Sequence, residues 1–108
     1  MRQVTVAHQA RFADDKMQKV ALFESPHFFC DLYCLDPGQA QRVHAHAGSD
    51  KVYYVQTGRA TIQAGAEEAE VGAGVAVLAP AGCPHGVANR TDAPVTVLVF
   101  MAPKPDHG

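Results

Sequence analysis

Between Val4 and Met101 the chain runs in apolar or alternating stretches of 4 to 9 residues, each cut off by Gly, Pro, Asp or Asn. That rhythm suits strands joined by tight turns and leaves no room for a long helix. It predicts strands over Val4–His8, Lys19–Phe23, Phe28–Leu35, Gln39–His46, Val52–Thr57, Ala60–Gln63, Ala69–Val71, Val75–Leu78, His85–Asn89 and Val95–Met101. Short helical turns fit only Ala10–Lys19 and Gly65–Glu70, because the nine Gly and seven Pro break anything longer. Gly38, Gly58, Gly74 and Gly82 sit where turns need unusual backbone angles. The expected class is all-β, a sandwich, jelly roll or small barrel. Residues 1–102 make one domain, and 103–108 read as a tail with little to bury.

A chain of 108 residues hides roughly 65% of its unfolded surface on folding, enough for one modest core. Nine Lys and Arg against eleven Asp and Glu give a net charge of -2, which lacks the basic excess a nucleic-acid surface requires. No apolar run is long enough to span a membrane, and the N-terminus has no secretory pattern, so neither membrane nor export is expected. The odd set Cys30, Cys34 and Cys83 contains no Cys-x-x-Cys pair, which points away from a disulfide framework and toward a reducing cytoplasm. Four strand steps hold Cys30 and Cys34 about 13 Å apart, too far to bridge. They read as buried thiols.

Strand alternation sends His44 and His46 to one face with Cα atoms about 6 to 7 Å apart, where two imidazoles can share a metal ion. Alone, such a pair is ordinary polar surface. A third ligand changes that, and His85 is the candidate, held in the rigid run Pro80-Ala81-Gly82-Cys83-Pro84-His85-Gly86. His8, His27 and His107 lie in exposed or capping contexts and receive no role.

Here the sequence resembles the cupin family. The first cupin motif, Gly-x5-His-x-His-x3-4-Glu-x6-Gly, is similar to Gly38 through His44 and His46 to Gly58. The second, Gly-x5-Pro-x-Gly-x2-His-x3-Asn, is matched at every fixed position by Gly74, Pro80, Gly82, His85 and Asn89. Composition alone would produce five such matches at roughly one start position in several million. The 15 residues between Gly58 and Gly74 resemble the spacer of small bacterial single-domain cupins of the RmlC-like type. The resemblance implies a double-stranded β-helix, or jelly-roll, barrel with a metal in its mouth, and a homodimer.

One position departs from the motif. Counting back from Gly58, the family's glutamate falls on Lys51, and a protonated amine has no lone pair to offer a metal. Asp50 is the neighbour, in strand parity with the His pair, and a bulge could present it. The expectation is a site of His44, His46 and His85, with Asp50 as a fourth ligand or a partner behind the first three. The cofactor is a divalent metal ion; Fe, Mn, Zn, Ni and Cu all suit imidazole.

Three neutral imidazoles leave the ion its full charge, which favours a small anionic ligand. Parity puts Arg42 on the histidine face, where a guanidinium fork could hold a carboxylate; the alternative is a solvated rim. The Gly58 register puts Lys51 and Tyr53 on that face as candidate catalytic groups. Tyr53 and Tyr54 alternate, so one belongs to the core and the other to the surface. Cys83 reads as packing. The resemblance implies either a small metalloenzyme, of dioxygenase or isomerase/lyase type, or a non-catalytic metal- or metabolite-binding sensor module. An enzyme would direct Lys51 or Tyr53 inward, whereas a module would leave the site shallow and turn Lys51 outward.

Overall fold

The structure is a computed structural model that describes residues 1–105; residues 106–108, His107 among them, lie outside the described residues. Nine strands follow a 3₁₀ turn at Val6–Gln9: β1 Gln18–Glu24, β2 Phe29–Leu35, β3 Ala40–His44, β4 Asp50–Thr57, β5 Arg59–Ala64, β6 Glu67–Gly72, β7 Ala76–Ala79, β8 His85–Ala88 and β9 Val95–Ala102. They form two antiparallel sheets, one in the order β1-β2-β9-β4-β7 and the other β3-β8-β5-β6. The jelly-roll expectation is met.

Alternation does the sorting. Along β9, Val95, Val97, Val99 and Met101 are buried while Phe100 is exposed. Along β4, Lys51, Tyr53 and Val55 point in and Tyr54 points out. The inward residues of both sheets meet in one core of Tyr33, Leu35, Tyr53, Val55, Ile62, Val87, Val95, Val97 and Val99. Outward residues of β2 are covered too: Cys34 is buried under the N-terminal segment, where the Arg11 backbone N–H donates to Cys34 Sγ at 3.4 Å.

The structure corrects several local expectations. The strand over Val4–His8 is absent, and Val6–Gln9 forms a 3₁₀ turn with no buried residue. The segment joins neither sheet, so its local alternation has nothing to pair with. The helical turn over Gly65–Glu70 is a hairpin instead: Gly65 turns at φ 65° and β6 pairs with β5 from Glu67 onward. The other helical stretch, Ala10–Lys19, holds no helix and ends in β1. Gly38, Gly58, Gly74 and Gly82 do take positive φ, between 79° and 90°.

Three irregularities interrupt the ladders, and one shapes the site. Gln41 pairs with Val87 and His44 with His85, so three steps on β3 oppose two on β8. The extra residue is a β-bulge, which reverses the parity beyond it.

Candidate metal centre

His44 ends β3 and His85 begins β8, so the ladder sets them side by side, and His46 follows two residues on. Ring centroids lie 4.6 Å apart for His44 and His85, 4.8 Å for His44 and His46, and 5.7 Å for His46 and His85. One nitrogen of each ring lies within 4.8 Å of the others, a spread that small ring rotations would close around an ion with bonds of about 2 Å.

The backbone sets two of the rings. His44 Nδ1 is 2.8 Å from the Arg42 carbonyl and His85 Nδ1 is 3.0 Å from the Cys83 carbonyl. A carbonyl only accepts, so each Nδ1 carries the proton and each Nε2 keeps its lone pair. His85 Nε2 is buried and has no hydrogen-bond partner among the described residues. Leaving such an acceptor unanswered costs about 1–3 kcal/mol, and a cation shared with the other two rings would answer it. The donor set therefore fits a divalent ion.

Burial pushes the His85 imidazole down to about 4; the Cys83 carbonyl works against that, while Lys51, His44 and His46 add to it. At neutral pH the ring is the uncharged ligand form. The ordinary value of 6.5 holds in the unfolded chain, so between 6.5 and about 4 only the unfolded state takes up the proton. Stability of the metal-free protein should therefore fall as pH drops through that window. Urea midpoints at pH 7 and pH 5 check this, and His85→Phe should flatten the difference.

Lys51 lies inside the barrel and is 1% exposed. Its Nζ donates to Tyr33 Oη and Gln41 Oε1, both at 3.2 Å, and stands 5.1 Å and 5.0 Å from the ring centroids of Tyr33 and Tyr53. Among the described residues it has no carboxylate ion pair. Burial, with the Lys19 charge adding and Asp31 opposing, lowers the amine to about 7. Burial raises both phenols, so Tyr33 and Tyr53 stay protonated at neutral pH. Gln41 ties the group together, donating to Tyr33 Oη at 3.1 Å and accepting from Tyr53 Oη at 3.4 Å. A cavity of about 280 Å³ opens onto Tyr33, Gln41, Lys51, His44, His46 and Lys19.

Asp50 stands apart from the three histidines. It is exposed, and its Oδ1 accepts the Ala81 backbone N–H at 2.8 Å. With Gly82 N–H donating to the His46 carbonyl at 2.9 Å, this bond ties the loop before His85 to the chain after His46. Arg42 is exposed as well, because the β3 bulge gives the inward place to Gln41. It lines a groove at the rim with Lys16, Lys19 and His44. Sequence reasoning missed Tyr33 and Gln41. Tyr33 alternates inward with Leu35, a readable signal, whereas Gln41 depends on the bulge.

Comparison with known proteins adds a family. The profile described as Cupin domain matches residues 31–101. An uncharacterised protein of Streptomyces coelicolor, SCO3923, is 37% identical over 73 residues, which is 68% of this chain and 69% of that protein. Among solved structures, TT1209 from Thermus thermophilus superposes with a TM-score of 0.95 at 47% identity, covering 97% of this chain and 100% of that one. An RmlC-like cupin protein from Desulfovibrio desulfuricans gives 0.81 at 29% identity, covering 96% and 98%.

Proposed function

The chain belongs to the cupin-domain family, and from that premise we propose that it is a small metal-binding cupin, an enzyme of oxygenase or isomerase/lyase type acting on a small anionic metabolite. The observation that carries this reading is the buried Nε2 of His85, which has no hydrogen-bond partner among the described residues and lies beside His44 and His46. These three residues would hold a divalent ion, which when bound supplies Lewis acidity, or redox capacity if it is iron, manganese or copper.

The remaining roles fall to the chain's own groups. His44 and His85 are pre-oriented by the carbonyls of Arg42 and Cys83, so neither of these two rings need turn far on binding. Arg42, on the rim groove with Lys16 and Lys19, raises the local concentration of anions at the mouth. Lys51, bonded to Tyr33 and Gln41, can hold or release a proton near neutrality. Tyr53, joined to the same Gln41, keeps its proton and donates. Asp50 acts by fixing the loop that carries His85, as its bond to Ala81 suggests. The inward Lys51 supports catalysis over a passive sensor module, which would favour a shallow site with that amine in water. Three free thiols support a reducing, cytoplasmic home. No helix among the described residues is long and apolar enough to cross a membrane.

Elemental analysis of the purified protein tests this. The expected result is near-stoichiometric metal per chain, lost in both His44→Ala and His85→Ala. No metal after reconstitution with Fe, Mn, Zn, Ni or Cu would overturn it and favour a metal-free binding module.

A further inference from the structure

We propose that Lys51 is a covalent carbonyl-binding residue that forms a reversible imine with a small 2-oxo acid entering the barrel. This chemistry goes beyond the metal-binding reading and does not depend on an ion at the histidines.

The placement of the amine supports it. Lys51 is the inward side chain of β4 at the level of Tyr33 and Gln41, and both of its hydrogen-bond partners are uncharged oxygens. A structural buried lysine is normally held by a carboxylate, since an isolated ammonium is costly to desolvate. Lys51 takes part in none of the ion pairs found among the described residues. Lys51 is instead among the residues that line the cavity of about 280 Å³, room for a molecule of a few heavy atoms. Nucleophilic lysines are made this way, by desolvation and a neighbouring cation. Both conditions are met by burial and by Lys19, and the amine is partly uncharged at neutral pH.

Lys19 also selects the substrate class. Its Nζ lies 5.4 Å from the Tyr33 centroid, and it lines the cavity that Lys51 borders. A carboxylate next to the reacting carbonyl would meet that ammonium while the carbonyl carbon meets Lys51. Tyr33 supplies the proton traffic, with its Oη 3.2 Å from Nζ and its phenol kept protonated by burial.

The step balances with water as the only by-product. The Nζ lone pair bonds to the keto carbon, and the carbonyl π pair moves to oxygen, which takes a proton from Tyr33 Oη. Nitrogen returns a proton to Tyr33. The carbinolamine hydroxyl then takes a second proton from Tyr33 Oη and leaves as water while the nitrogen lone pair forms the C=N bond, and the iminium N–H gives its proton back to Tyr33, leaving a neutral imine. Hydrolysis reverses the sequence.

Pyruvate with sodium cyanoborohydride at pH 7 is the direct probe, because hydride addition to the imine carbon leaves a stable secondary amine. Peptide mapping by mass spectrometry of the purified protein, with and without prior chelation, reads which amine carries it. Lys51 is expected to label roughly tenfold or more faster than Lys16, Lys19 or Lys104, since burial leaves its amine partly uncharged at pH 7. Lys51→Met should abolish that adduct and leave the others unchanged. Label confined to the exposed lysines and the Met1 α-amine would overturn the proposal. Because the mapping is done on the unsubstituted chain, the result stands even if a variant fails to fold. The same adduct in His44→Ala would separate this chemistry from the metal reading.

Discussion

Gly58→Ala is expected to destabilise the domain by about 3 kcal/mol, the sum of a left-handed backbone for a residue with a Cβ and a collision the turn cannot relieve. Gly58 joins β4 to β5 at φ 79°. A Cβ there would lie 2.6 Å from the Pro94 carbonyl oxygen and 2.9 Å from Val95 Cγ2. The first contact is backbone and the second belongs to a fully buried core residue, so neither can swing aside. Gly74→Ala separates the two costs. Its φ is 90° but an added Cβ meets nothing within 4 Å, so only the conformational cost, about 1 kcal/mol, should appear. Chemical denaturation of the two variants beside the parent reads both. Equal losses would remove the steric part.

Lys51→Met is expected to stabilise the protein at pH 7 by about 2 kcal/mol, because a buried amine without a countercharge is replaced by an apolar chain of similar length. The direction follows from linkage. The amine is lowered from 10.5 to about 7 on folding, so between those values the unfolded chain binds a proton that the folded chain does not. The parent should therefore lose stability as pH falls from about 10.5 to 7, with the full penalty present below 7. The variant should lack that slope. Losing two hydrogen bonds to Tyr33 and Gln41 opposes the gain, at about 1 kcal/mol each. The remaining pair is still satisfied, since Gln41 continues to donate to Tyr33 and to accept from Tyr53. Urea midpoints at pH 7 and pH 9 for both chains test the sign. A variant less stable than its parent at pH 7 would show that the polar cluster outweighs the desolvated charge.

Strand alternation made most of the fold legible, because a barrel with one buried face writes itself into sequence with period two. Lys51, Tyr53 and Val55 follow that period on β4, as do Val95, Val97 and Val99 on β9. It failed where periodicity was not the deciding force. Val4–His8 alternates but has no neighbour to bond, and Val6–Gln9 turned instead. Arg42 shares formal parity with His44, yet the extra residue between Gln41 and His44 exposes it. A bulge is a relation between two strands, so one strand's sequence does not disclose it. The histidines were readable as a spacing. Lys51 and Tyr53 shared a face by alternation on β4. That the lysine would also rest on Tyr33 and Gln41 was not readable, because those come from β2 and β3, whose placement against β4 is a matter of tertiary register.

The position of β9 governs how the chain reaches this state. It lies between β2 and β4, bonded to both along nearly its whole length, yet it follows them by several dozen residues. A ribosome therefore exports β2 and β4 long before the strand that separates them exists. Until Val95–Ala102 emerges, both must wait with unpaired edges, and the five-stranded sheet has no middle. Topologies of this kind close large loops before any contact repays them, and they fold slowly for that reason. The nascent chain thus spends its synthesis with adhesive edges in the open, where holding chaperones act. The insertion of one late strand decides whether the barrel forms.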